Sequence, residues 1–243
     1  MTTAPSGPDP RNAAPPGAAR LLRAAFGAVA RRRPGARAVH NRGALFAGVL
    51  EVPERSWESG VDLFDTPGRW PAVVRFSRGF GLPRPLPDVL GLAVRVASPA
   101  GLRDVLVDSA LGRGPWQRRL GRPGQDHLAA TYSSLLSYRI GGGKAPVLLL
   151  ALPPRPSPPR PAEAGAGRLG DLAVASGLAG ACLDLALAAR GGGPVTLARL
   201  RLGERLPDGT EPRFDPTASG SLRPGPLGRL RVAAYPGAPV AQH

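Results

Sequence analysis

Between Ala44 and Asp108, short apolar runs recur with a period of two residues and are separated by Gly, Pro and Asp. The runs ALFAGVLEV (44–52), PAVVRFS (71–77), LGLAVRVAS (90–98) and RDVLVD (103–108) have the composition and alternation of strands. Within LAVRVA, Leu92, Val94 and Val96 fall on one face and Ala93, Arg95 and Ala97 on the other, so one face is expected to be buried. Four short strands in succession predict an antiparallel sheet or a barrel, whose closure would hide its edges.

The pattern changes on either side of this stretch. From Ala18 to Arg33, Leu21, Leu22, Ala25, Phe26 and Val29 share one helical face, which predicts a basic amphipathic helix at 18–33 after a disordered, Ala/Pro/Gly/Ser-rich extension at 1–17. The segment GQDHLAATYSSLLSYRI (124–140) is expected to be helical, PVLLLAL (146–152) to be helix or strand, and the Pro-rich stretch at 153–165 to be a loop. The small and aliphatic residues of 167–193 read as a further helix stopped by Gly191–Gly193, so a helical insertion is expected at about 124–190. PVTLARLRL (194–202) and PLGRLRVAAY (226–235) read as closing strands, with a Pro207-Asp208-Gly209 turn between them. Strands, then helices, then strands predict one α+β domain over 18–243 built on an antiparallel sheet.

Composition narrows the class. Gly (33) and Pro (30) make up more than a quarter of the 243 residues, but they lie between apolar runs and act as turns. The net charge of +15 is carried by arginine, since Lys144 is the only lysine. Such a charge suits an anionic cofactor, an anionic surface or nucleic acid, or is simply a solvated face. No zinc-finger spacing or aromatic-interleaved basic strand points to specific nucleic-acid recognition. Cys182 stands alone in an apolar run and is expected to be an inert, buried thiol, with no disulfide framework. The N-terminus lacks the apolar core of a secretory signal and no run is long enough to span a bilayer, so a cytoplasmic protein is expected.

One of three histidines, His40, lies in RAVHNRGALFAGVLEV (37–52), just before the first strand. In that place a histidine is either a polar residue at a strand mouth or an acid/base that needs an orienting partner, a metal or a cofactor. The partners on offer are Arg75 and Ser77 in VVRFSRG, Asp88 in LPDVLGLAVRV, and Asp108 with Ser109 in VLVDSA.

Taken in order, RAVHNRGALFAG, PAVVRFSRG, DVLGLAVRV and RDVLVDS resemble the opening part of the haem catalase domain, with its Arg-x-x-His-x-x-Gly entry and its Val-Arg-Phe-Ser strand. The likeness covers residues 37 to 109. It implies a catalase-like antiparallel β-barrel with flanking helices and a haem b beneath the barrel wall. By the same resemblance His40 is the distal acid/base, Ser77 accepts a hydrogen bond from its imidazole, Arg37 and Arg75 pair with haem propionates, and Val39 lines the cofactor. Asp108, followed by Ser109, stands where the family has its distal asparagine. The family's proximal ligand is a tyrosinate in an Arg-x-x-x-Tyr motif, and Arg231 and Tyr235 have that spacing. A second alignment makes Tyr235 the end of the last barrel strand, and this is the preferred one; Tyr132 and Tyr138 match no motif.

The resemblance implies a haem-dependent oxidoreductase acting on hydrogen peroxide or an organic hydroperoxide, below the efficiency of a full catalase. Two alternatives remain. One is a barrel that has lost haem and serves as a binding module; the other is an anionic-surface or nucleic-acid binder using Arg20, Arg23, Arg31, Arg32 and Arg33.

Overall fold

The computed structural model describes residues 42–82, 85–140, 146–153, 168–172, 175–208, 212–215 and 218–225. The four strands of the first half form where the alternation predicts them, each extended by a few residues: β1 (Arg42–Val52), β2 (Gly68–Arg78), β3 (Asp88–Ser98) and β4 (Gly101–Ser109). They pair antiparallel in sequence order. The remaining strands are β5 (Pro123–Gly124), β6 (Tyr132–Ser133), β7 (Tyr138–Ile140), β8 (Pro146–Leu152), β9 (Cys182–Ala189), β10 (Pro194–Arg205) and β11 (Leu222–Pro224). The order β8-β6-β4-β3-β2-β1-β10-β9 closes on itself through β8–β9 pairing, from Val147↔Ala189 to Leu152↔Asp184. The result is a closed eight-stranded antiparallel barrel, and closure leaves its strands without free edges. Its inside is filled by alternate residues of each strand, among them Phe46, Phe76, Leu92, Val94, Leu149 and Leu185.

Helices are few. Among the described residues they are α1 (Asp62–Asp65), α2 (Leu169–Leu172) and a 3₁₀ turn at Gln117–Arg119, so the chain is mostly β and the α+β assignment holds only in part. The helix expected at 124–140 is instead turns and short strands. Its polar side chains serve the backbone locally: Asp126 accepts from the N–H of Leu128 and Ala129, and Ser133 from that of Leu135, which turns with φ of 55°. The helix expected at 167–193 reduces to the four residues of α2 followed by β9. In β9, Leu183, Leu185 and Leu187 point into the barrel while Ala186 and Ala188 are buried on its outside with Leu148, Leu150 and Leu152 of β8. A strand covered on both faces loses its alternation and reads as a continuous apolar run. The extension at 1–17, the helix at 18–33 and the strand at 226–235 lie outside the described residues. Among the described residues no helix is long and apolar enough to cross a membrane.

Candidate functional site

The pleat that sends Phe76, Leu92 and Val107 inward turns their neighbours to the outside of the barrel. The register then sets two rows side by side across β1 to β4. One row is Gly43, Ser77, Gly91 and Asp108; the next is Leu45, Arg75, Ala93 and Leu106. Of the residues singled out in the sequence, Arg75, Ser77 and Asp108 are thus brought together on one wall. Arg37, Val39, His40, Arg231 and Tyr235 lie outside the described residues.

Arg75 is only 3% exposed. Its guanidinium lies across Gly43, so that a Cβ added to Gly43 would come within 2.7 Å of Cζ and 2.8 Å of Nη2. Ser77 is also buried, and its hydroxyl donates to Gly91 O over a long 3.5 Å. Gly43, Gly91 and Ala93 keep the wall low, Leu45 makes it apolar, and Arg75 places a permanent positive charge on it. The guanidinium fills the space over Gly43 that the Cβ of any other residue would need, so this close approach requires a glycine.

Other candidates have structural duties. Asp88 is buried and accepts from the N–H of Phe80 and Leu82 at 2.9 and 3.0 Å, clamping the β2–β3 loop. The Ser109 hydroxyl accepts from Leu90 N at 2.9 Å and donates to Arg122 O at 2.6 Å, joining β3, β4 and the chain before β5. Only Asp108 of that pair remains on the wall. Farther along it, Arg95 binds Asp104 through two contacts of 2.7 and 2.6 Å, and Asp104 also accepts from Asp215 N, which fastens the 212–215 segment to the barrel. Cys182 is half-buried and its thiol is pushed up by burial, which leaves it a neutral, poor nucleophile.

A buried pair had no signature in the sequence. His127 and Tyr132 are fully enclosed: the Tyr132 hydroxyl donates to His127 O at 3.0 Å and lies 3.1 Å from His127 Nδ1, while the imidazole packs on Phe76 at 5.3 Å between ring centres. Burial, then the charges of Asp126 and Asp108, push the phenol well above its ordinary value. Tyr132 is therefore a neutral phenol on the inward side, held by a neighbour five residues away, and not a phenolate suited to iron. Among the described residues no group of three or more His, Cys, Asp and Glu side chains is placed to hold a metal ion.

No family model matches the sequence, and no curated protein matches it. The structure, however, is similar to that of a fungal catalase, with a TM-score of 0.59 and 15% identity over 87% of this chain and 60% of that one. It is equally similar to catalase A from Saccharomyces cerevisiae, with a TM-score of 0.59 and 11% identity over 87% of this chain and 62% of that one. The chain therefore spans about three-fifths of the length of these catalases. At such identities the likeness is one of fold, and the fold is a catalase-like antiparallel β-barrel.

Proposed function

We propose that the protein binds haem against the outer wall of β1 to β4 and there converts hydrogen peroxide or an organic hydroperoxide. The observation that carries the reading is the low wall of Gly43, Gly91 and Ala93 beneath the buried guanidinium of Arg75. Haem supplies the redox chemistry when bound, and the protein supplies position and protons. Arg75 pairs with a propionate, with Arg37 as a second cation and Val39 as an apolar contact. His40 precedes Arg42, the first residue of β1, by two positions, a span of at most about 7 Å of extended chain. From there its imidazole takes a proton from one peroxide oxygen and returns it to the other. The Ser77 hydroxyl, which donates to Gly91 O, accepts the second imidazole N–H and so fixes the tautomer. Asp108 replaces an amide by a carboxylate, which repels a peroxide anion and favours a neutral hydroperoxide. The preferred alignment puts Tyr235 at the end of the last strand; in the other, Tyr235 would hold the iron and Arg231 would stabilise its phenolate.

The test is peroxide turnover by the full chain reconstituted with ferric haem. His40→Ala should abolish turnover while haem stays bound, and Ser77→Ala should lower it. Undiminished turnover in His40→Ala would remove His40 from the reaction. A second reading, a haem-free barrel serving as a binding module, is favoured by the carboxylate at Asp108 where the resemblance calls for an amide. Absence of haem retention would select it.

A further inference from the structure

Nine large hydrophobic side chains are exposed among the described residues, and six of them fall on two loops. Phe80, Leu82 and Leu86 lie between β2 and β3; Leu111, Trp116 and Leu120 lie between β4 and β5. The loops are neighbours, because β5 pairs with the start of β3 (Asp88↔Gly124, Val89↔Pro123) and Gln125 Nε2 donates to Pro85 O at 2.6 Å. Nor are these residues exposed through fraying. Besides the Asp88 clamp, Arg78 donates to Leu86 O at 2.6 Å, and Leu111 N donates to Leu120 O at 2.8 Å. Arg118, itself buried, donates to Ala189 O and Gly192 O at 2.8 Å each, tying the second loop to the β9–β10 turn. Trp116 is held outward with 79% of its surface in water.

Scattered apolar residues on a surface need no explanation, but a concentration held out by backbone clamps points to something that covers it. Charge says what. Residues 79–87 and 109–125 contain no Asp or Glu and five arginines, and the three acids between them, Asp88, Asp104 and Asp108, are buried. We propose that these two loops dock the protein on an anionic phospholipid membrane. Trp116 sits at the level of the headgroups, Phe80, Leu82, Leu86, Leu111 and Leu120 insert into the acyl boundary, and the exposed Arg122 and the half-buried Arg113 and Arg119 meet lipid phosphates. A second copy of this chain fits less well, since it would oppose two positive surfaces of a protein carrying +15 overall. The proposal does not depend on haem.

The experiment uses the full chain with vesicles of phosphatidylcholine alone and of phosphatidylcholine with phosphatidylglycerol. Cosedimentation should occur with the anionic vesicles, weaken with salt, and shift tryptophan emission to the blue; Trp116→Phe should remove most of that shift. The pair Trp116→Ser with Leu120→Ser should lower the partition coefficient at least about tenfold. Leu102→Ser, an exposed leucine in β4 near the Ser98–Gly101 turn, should leave it unchanged. Far-ultraviolet circular dichroism confirms that each variant folds. Binding that survives the Trp116/Leu120 pair would move the contact to the N-terminal arginines and overturn the proposal. Equal binding to neutral vesicles, or a dimer on gel filtration that the same pair dissolves, would also overturn it.

Discussion

Gly43 is where the wall is most easily tested. A methyl group at this position would stand 2.7 Å from Arg75 Cζ, 2.8 Å from its Nη2 and 2.7 Å from the carbonyl oxygen of Phe76. Carbon contacts settle at about 3.5–4.0 Å, so the guanidinium must retreat by roughly 1 Å. The Phe76 carbonyl belongs to the β1–β2 ladder and cannot retreat with it. Overpacking of this kind costs about 1–3 kcal/mol. Gly43→Ala should therefore lower the unfolding free energy by about 2 kcal/mol, read from urea denaturation followed by far-ultraviolet circular dichroism. Arg75→Ala removes one of the two obstacles. The double variant should then lose less than the sum of the single ones, by at least about 0.5 kcal/mol. Strict additivity, or a Gly43→Ala protein as stable as the wild type, would refute the placement of Arg75 over Gly43.

The core and its polar satellites yield further expectations. Phe76→Ala removes a ring packed edge-on against Phe46 at 6.1 Å and against His127, and should cost about 3–5 kcal/mol in the same unfolding assay. Tyr132 has a raised folded-state pKa, so its contribution is complete below the ordinary tyrosine value of about 10 and is lost as pH rises through the folded one. Unfolding curves at alkaline pH should show that loss, and Tyr132→Phe should flatten it while costing about 1–2 kcal/mol at neutral pH. Burial works against the charge of Asp62, but Arg103 and the N–H groups of Leu63 and Ser221 outweigh it and hold the carboxyl below its usual value. Its contribution is present above the ordinary aspartate value and fades as pH falls toward the folded one. Asp62→Asn should flatten the acid limb of the stability profile.

The strands that form the wall were legible because each has one apolar and one mixed face. Leu92, Val94 and Val96 against Ala93 and Arg95 fixed the inward face of β3 from the pattern alone. The same logic failed for β9, whose outer Ala186 and Ala188 are as buried as its inner leucines. No local feature of an Ala- and Leu-rich run separates a doubly covered strand from a buried helix. At the site, Arg75, Ser77 and Asp108 could be named from sequence, but their convergence depends on registers between strands that a sequence does not state. Gly43 became informative only when Arg75, its diagonal neighbour across the ladder, was known to lie over it. His127 and Tyr132 were invisible for a different reason: they meet through a turn and a packed ring, and no spacing encodes that.

Haem binding on the outer wall is tested most directly by mixing the full chain with ferric haem, removing unbound haem by gel filtration and recording the visible spectrum. A Soret band should travel with the protein, and Arg75→Ala should release a large part of it while the far-ultraviolet spectrum stays unchanged. A protein peak without a Soret band, or one whose haem is indifferent to Arg75, would contradict the assignment of the β1 to β4 wall.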